Sequence, residues 1–120
     1  MTSEETLRKW LEAVLRGDVI RGFRFATLTW KANNTGAKAS DYLAGLASRG
    51  GNFPLKAAVT SIKTDEISEV LHKFEVELFQ KEGTTTIQLM AVCETKAYTS
   101  SVNGTWGINP ASWRNINYAW

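Results

Sequence analysis

Cysteine, histidine and net charge are all scarce in this sequence of 120 residues. The one cysteine, Cys93, cannot form an internal disulfide, and the one histidine, His72, is too little for a Cys/His zinc site. We therefore expect no bound metal, and because the sequence contains neither a phosphate loop nor a dinucleotide fingerprint, we expect no cofactor. A single cysteine also favours a reducing, cytoplasmic location.

Long apolar runs are missing as well. No window approaches the roughly 18 consecutive apolar residues of a membrane-spanning helix, and the acidic start over residues 1–5 does not resemble a signal peptide. The hydrophobic fraction of 43% and the charged fraction of 22% are typical of a globular protein. We expect one soluble domain over residues 1–120, without a membrane contact.

The net charge of +2 is too small on its own to indicate a nucleic-acid-binding protein. The charge is unevenly distributed, however, because residues 19–40 contain no acid and no acid follows Glu94. The basic residues of that first segment form a candidate anion-contact surface: Arg21, Arg24, Lys31 and Lys38. An ordinary solvated surface is the alternative explanation for the same pattern.

Helical periodicity is clearest at the N-terminus. Thr2 and Glu5 have the spacing of a capping box, apolar residues then repeat at three- and four-residue intervals, and Gly17 is suited to end the helix. A second helix is predicted from the spacing of Ala39, Tyr42, Leu43, Leu46 and Ala47. Between the two, residues 23–30 are rich in aromatic and β-branched side chains and predict a strand.

From residue 55 onward the apolar period changes to two, which is typical of strands with one buried face. The longest alternating runs are Val70, His72, Phe74, Val76, Leu78 and Ile87, Leu89, Ala91, Cys93. A last strand is predicted to start at Thr105 and to stop at Pro110, because proline cannot donate to a sheet ladder. The expected fold is α+β, with two helices packed on one face of a strongly curved antiparallel sheet.

Two short motifs and this order of elements resemble the superfamily of nuclear transport factor two and ketosteroid isomerase. The first motif, residues 10–18, is an apolar helix that ends in Gly-Asp, and the second, residues 104–108, contains a Gly-x-Trp strand start. The resemblance implies a cone-shaped, cystatin-like architecture with a pocket between the curved sheet and the helices. It does not imply an activity, because the carboxylate base and the Tyr/acid pair of the isomerases have no counterpart here.

Only two residues are catalytic candidates. His72 is suited to general acid–base chemistry, with Glu94 on a neighbouring strand as its orienting carboxylate. The alternative is a structural histidine that belongs to the core, and this is the role that we predict for His72. Glu94 is either an isolated buried acid with a functional role or, as its position beside Gln88 and Lys96 indicates, part of a solvated outer face.

Large aromatic rings beside neutral amides are the most unusual feature of the sequence. Such side chains suit a binding interface or stacking on a sugar or a base, and the candidates are Trp30, Trp106, Asn109, Trp113, Tyr118 and Trp120. We predict that residues 106–120 are ordered and contribute to the main interaction surface. The alternative is a segment that packs back over its own domain.

These observations favour a non-enzymatic binding or assembly module that uses the pocket of a curved sheet and the aromatic C-terminal segment. One alternative is a small pocket enzyme of the isomerase, dehydratase or cyclase type that acts on an apolar small molecule. The other is a nucleic-acid-associated protein. We also expect a homodimer, because the sheet face opposite the core carries apolar residues, namely Leu71, Phe79, Met90 and Val92.

Overall fold

In a computed structural model of the protein, the described residues form four helices followed by a four-stranded sheet. The structure describes residues 1–47, 57–81, 83–95 and 104–116. In chain order the elements are α1 (Ser3–Leu15), α2 (Val19–Arg24), α3 (Leu28–Asn33), α4 (Ala37–Ala47), β1 (Ala58–Ser68), β2 (Leu71–Gln80), β3 (Gly83–Glu94) and β4 (Thr105–Asn115). Neighbouring strands are antiparallel, in the order β1-β2-β3-β4. The α+β class is confirmed, whereas the helices outnumber the predicted two and the sheet is not strongly curled.

The first helix begins and ends where the sequence predicts. The Thr2 hydroxyl accepts a hydrogen bond from the Glu5 N–H at 3.1 Å, and the Glu5 carboxylate accepts one from the Thr2 N–H at 3.0 Å. This reciprocal pattern is the capping box. Beyond the helix, Gly17 has a φ of 76°, a left-handed conformation that glycine adopts without strain.

The strand predicted over residues 23–30 is wrong, because two helices of six residues each, α2 and α3, replace it. The Asp18 carboxylate accepts a hydrogen bond from the Arg21 N–H at 3.1 Å, and the Thr27 hydroxyl accepts one from the Trp30 N–H at 3.2 Å. Each short helix therefore has its own N-cap. Local capping here outweighs the β propensity of the aromatic and branched side chains.

One hydrophobic core lies between the sheet and the helices. The sheet contributes alternate side chains that are each at most 1% exposed: Phe74, Val76, Leu78, Ile87, Leu89, Ala91 and Ile108. The helices α1 and α4 contribute Leu7, Trp10, Leu11, Leu43 and Leu46. Full burial of a large apolar side chain stabilises a fold by roughly 1.5–3 kcal/mol. The second predicted helix, now α4, is confirmed, as is the alternation within β2 and β3. Val70, the first residue of the run predicted for β2, lies in the preceding turn and is 38% exposed.

The last strand begins where predicted but does not stop at Pro110. Asn109 is opposite Met90, whereas the next paired residue of β4, Arg114, is opposite Gln88. The intervening residues of β4 therefore bulge out opposite a single residue of β3. A bulge accommodates proline because the missing N–H is not needed there, so β4 continues to Asn115.

Candidate functional site

A cavity of about 380 Å³ opens where α3 meets β3 and β4. Its lining combines an indole, an aliphatic side chain, three asparagines, two threonines and a glutamate, namely Thr27, Thr29, Trp30, Asn33, Asn34, Val92, Glu94 and Asn109. Trp30 and Asn109, which are far apart in sequence and were both predicted to bind a ligand or partner, thus line the same space. The volume is within the range of about 300–1,000 Å³ that is usual for small-molecule pockets.

The segment that leads into α3 is held against the edge of β4. The Thr27 N–H donates to the Ile108 carbonyl at 3.0 Å, and the Ile108 N–H donates to the Phe25 carbonyl at 2.9 Å. Gly107 permits this approach, because a Cβ atom at that position would lie 2.8 Å from the Thr27 Cα and 2.9 Å from the Ala26 backbone. The start of α3, and with it one wall of the cavity, is therefore fixed to the sheet.

The carboxylate of Glu94 binds the first turn of α3. It accepts hydrogen bonds from the Leu28 N–H at 2.6 Å, from the Thr29 N–H at 3.0 Å and from the Thr29 hydroxyl at 2.7 Å. These groups include backbone donors that the helix itself leaves unpaired, and a negative charge is favourable at a helix N-terminus. Glu94 lies on the outer face of the sheet, as one of its two interpretations predicted, but there it tethers α3.

Trp30 forms a rigid wall of the cavity. Its ring packs edge-on against Phe23, with 6.3 Å between ring centroids, and against Tyr42, with 5.6 Å between centroids. Only 7% of the residue is exposed. Trp30 therefore offers a fixed apolar surface to the cavity, with too little exposed area to act as a broad stacking platform.

The three asparagines are oriented by backbone hydrogen bonds. The Asn33 amide donates to the Thr29 carbonyl at 3.0 Å, and the Asn34 amide donates to the Trp30 carbonyl at 2.9 Å. The Asn109 amide oxygen accepts from the Ala111 N–H at 3.0 Å. Two of these bonds are made to backbone carbonyls of α3, and all three hold uncharged polar groups in the lining of the cavity.

His72 lies outside this cavity and has different neighbours from those expected. Its Nδ1 atom is hydrogen-bonded to the Ser3 hydroxyl at 2.7 Å, and its ring packs on Trp106 with 4.4 Å between centroids. Glu94, the predicted orienting carboxylate, is bound to α3 instead. The pairing of His72 with Glu94 is therefore wrong, and the contacts of His72 tie the start of α1 to the sheet.

The C-terminal aromatic residues within the described ranges pack on their own domain. Trp106 contacts His72, and Trp113 is 8% exposed and packs on Trp10 with 6.1 Å between ring centroids. Tyr118 and Trp120 lie outside the described residues. At Trp106 and Trp113 the structure thus follows the alternative in which this segment covers its own domain.

None of the four candidate anion-contact residues lines the cavity beside α3, and two of them bind helix carbonyls. Lys31 donates to the Arg24 carbonyl at 3.3 Å, and Lys38 donates to the Asn33 carbonyl at 3.4 Å, so both ammonium groups satisfy helix C-termini. Arg21 lines a second cavity of about 160 Å³ whose charges are mixed, with Lys9, Glu12, Arg16 and Asp18 around it. Arg24 is exposed.

The sequence reasoning missed Thr29, Asn33 and Asn34, because the predicted strand and a turn covered these positions. The local signal for this helix is weak: Thr27 is a good N-cap residue, but the apolar residues that follow it, Leu28, Trp30 and Ala32, alternate as in a strand. Within the described ranges, no group of three or more His, Cys, Asp or Glu side chains is arranged to hold a metal ion. In the same ranges, none of the helices is long and apolar enough to cross a membrane.

Comparison with known proteins gives no family assignment. No protein-family model matches the sequence, and no curated protein matches it. The function is therefore inferred from the cavity and from the residues that line it.

Proposed function

We propose that the protein is a non-catalytic binding module whose ligand occupies the cavity beside α3. The observation that carries this proposal is the meeting of Trp30 and Asn109 in one cavity with two further asparagines. A fixed apolar wall with amides and hydroxyls around it suits a small molecule that has an apolar side and a few hydrogen-bonding groups. The class of function is the one expected from the sequence, but the site lies at α3, and the C-terminal segment contributes Asn109 to it rather than Trp106 or Trp113.

The charge of the lining favours an uncharged ligand. Among the lining residues, only Glu94 is ionisable, and hydrogen bonds from α3 already occupy its carboxylate. An anionic ligand would bring a second negative charge close to this carboxylate in a partly desolvated space, which is unfavourable. Phosphorylated ligands should therefore bind more weakly than their neutral counterparts.

The positions of the acid–base candidates support binding over catalysis. His72 is hydrogen-bonded to Ser3 away from the cavity, and Glu94 is bound to Leu28 and Thr29. The alternative, a small pocket enzyme, requires the Glu94 carboxylate to leave these hydrogen bonds before it transfers a proton. Catalysis would then break the hydrogen bonds that stabilise the start of α3.

The proposal is tested by saturation-transfer NMR with neutral probes and one matched anion. Uridine and methyl β-glucoside each have an apolar face and hydrogen-bonding groups, and uridine 5′-monophosphate differs from uridine by one negatively charged phosphate group. Val92→Phe introduces a larger side chain into the lining without removing a cap. Leu71→Phe is the control, because Leu71 is directly opposite Val92 in the sheet and does not line the cavity.

We expect at least one neutral probe to bind the wild-type chain and the Leu71→Phe variant, and to bind Val92→Phe at least tenfold more weakly, a change of about 1.4 kcal/mol. Binding that Val92→Phe leaves unchanged would contradict the proposed site. Binding of the monophosphate alone, or of a short oligonucleotide in place of the neutral probes, would favour the nucleic-acid alternative.

Membership of the nuclear transport factor two and ketosteroid isomerase superfamily stays a prediction, as do the homodimer and the cytoplasmic location. The residues on which the dimer prediction rests do lie opposite the core. Leu71 pairs with Val92, Lys73 pairs with Met90 on the same outer face, and Phe79 is 57% exposed at one end of β2.

A further inference from the structure

The two edges of the sheet differ within the described part of the chain. At the β4 edge, residues 25–27 supply a parallel bridge from Ala26 to Ile108 and two backbone hydrogen bonds. At the other end of the strand order stands β1, a strand of 11 residues for which no second neighbour is present among the described residues. An edge of this length presents a row of backbone donors and acceptors to a further strand.

The pairing of β1 with β2 is regular in the middle of β1 and irregular at both of its ends. Register shifts occur between Val59 and Ser61 and between Glu66 and Ser68. Between these shifts, residues 61–66 pair with residues 72–77 of β2 without interruption. Bulges disturb the edge of a sheet locally, so the usable edge of β1 is this central stretch, whose length is close to that of an average strand.

Opposite charges flank the centre of this stretch on the outer face. Lys63 is opposite Glu75 of β2, and Asp65 is opposite Lys73, with 4.0 Å between the Lys73 Nζ and an Asp65 carboxylate oxygen. Thr64 lies between Lys63 and Asp65 with its side chain on the other face of the sheet. The charges are therefore arranged symmetrically about Thr64, with opposite signs.

We propose that the edge of β1 pairs with the same edge of a second copy of this chain, antiparallel and centred on Thr64. In this register Lys63 is opposite the partner's Asp65, and Asp65 is opposite the partner's Lys63. Thr64 is opposite the partner's Thr64, a favourable pair of β-branched residues. Ile62 is opposite the partner's Glu66, so no like charges are opposed directly.

The charge pattern identifies a second copy as the occupant, in preference to an unrelated strand. Across the joined sheets one row on the outer face reads Glu75, Lys63, the partner's Asp65 and the partner's Lys73, so its signs alternate throughout. The two-fold axis repeats this row in reverse order. A closed two-fold interface uses one surface twice and therefore requires self-complementarity. This proposal is independent of the cavity and of its ligand.

Charge reversal at the two flanking positions tests the pairing by sedimentation equilibrium. Lys63→Asp creates acids at both positions, and Asp65→Lys creates lysines at both. Each variant alone should have a dissociation constant that is about tenfold to a hundredfold higher than that of the wild-type dimer. An equimolar mixture of the two variants should form a heterodimer. The double variant Lys63→Asp/Asp65→Lys restores opposite charges across the interface and should dimerise more tightly than either single variant. It should dimerise more weakly than the wild type, because each new charge is opposite a like charge of its own β2, Glu75 or Lys73.

Glu66→Gln is the matched control, because it removes a charge from the same strand at a position that faces Ile62 of the partner. It should leave the dimer intact. A wild-type chain that stays monomeric at high micromolar concentration would overturn the proposal. So would single charge-reversed variants that dimerise like the wild type, because association would then run through the apolar outer face. Circular dichroism of each variant confirms that its fold is retained.

Discussion

Thr29 donates two hydrogen bonds to one oxygen of Glu94, from its backbone N–H at 3.0 Å and from its hydroxyl at 2.7 Å. The two residues are 65 positions apart in sequence, so this contact fixes the short helix α3 on the end of β3. Without the contact, a helix of six residues would have little stability of its own, because short isolated helices are marginal in water. The shape of the cavity therefore depends on this pair.

Replacing Glu94 with alanine should destabilise the protein by about 1–3 kcal/mol, because hydrogen bonds between charged and backbone groups are lost together. Urea unfolding followed by circular dichroism measures the change. Glu94→Gln retains an acceptor oxygen and should lose less. Glu12→Ala is the control, since its ion pair with Arg16 is exposed on both sides, and it should change the free energy of unfolding by less than about 0.5 kcal/mol.

Two glycine substitutions should change the free energy of unfolding in opposite directions. Gly107→Ala places a Cβ atom within 2.8–2.9 Å of the backbone of Ala26 and Thr27, so it should destabilise the protein by about 1–3 kcal/mol through overpacking. Gly45→Ala lies in α4 with nothing within 4 Å of the new methyl group. It should stabilise the protein by about 0.5–1 kcal/mol, because alanine favours a helix over glycine. Equal effects of the two substitutions would be inconsistent with the close approach at Gly107.

The bulge at Pro110 should be stabilised by hydrogen bonds of the Ser112 side chain. The Ser112 hydroxyl accepts a hydrogen bond from the Met90 N–H at 2.8 Å and donates one to the Asn109 carbonyl at 2.6 Å. Ser112→Ala leaves the Met90 N–H without this acceptor and should cost about 1–3 kcal/mol. Hydrogen exchange at the Met90 amide should accelerate, whereas Ser61→Ala on exposed β1 should leave that rate unchanged.

The sequence predicts those helices and strands that are determined by residues within the same segment. The capping box of Thr2 and Glu5 and the apolar periodicity that follows it were sufficient to place α1, and alternation was sufficient to place the core face of β2 and β3. The β propensity and the apolar alternation of residues 23–30 predict a strand, whereas the N-caps Asp18 and Thr27 start helices there. Propensity and capping give opposite predictions over this segment, and the contacts of α2 and α3 with the rest of the fold decide between them.

The site could be predicted only in part, because its contacts are long-range. Trp30 and Asn109 were selected for their chemistry, but nothing local indicates that they share a cavity. The partners of Glu94 and His72 depend on how α3 and α1 dock on the sheet. Ser3 is 69 residues from His72, and no periodicity or motif connects the two. Pro110 was misread for the same reason, because the bulge that accommodates it is set by pairing with β3.

Stability should fall at acidic pH in part through Glu5. Hydrogen bonds from the backbone and side chain of Thr2 hold the pKa of the Glu5 carboxyl below its ordinary value. A lowered folded-state pKa adds stability above the unfolded-state pKa, about 4.3, and that stability is lost as the pH falls through the folded-state pKa. The wild-type chain should therefore be more stable than Glu5→Gln at neutral pH, and the difference should shrink as the pH falls below the unfolded-state pKa and through the folded-state pKa.

Thermal unfolding of the wild-type chain and of Glu5→Gln, from neutral to acidic pH, measures this difference in stability. Glu4→Gln is the control, because Glu4 is in the same helical turn and pairs with Arg8 on the surface, outside the capping box. A Glu5→Gln difference that persists unchanged at low pH would exclude the carboxylate as its source.

The cavity is tested most directly by following its own side-chain resonances during titration with a neutral probe that binds. In ¹H–¹⁵N correlation spectra, the account predicts concerted shifts of the Trp30 indole and of the Asn33, Asn34 and Asn109 side-chain amides, with one dissociation constant. Val92→Phe should abolish these shifts and Leu71→Phe should preserve them. Shifts confined to Trp106 and Trp113, with Trp30 and Asn109 unchanged, would contradict the proposed site.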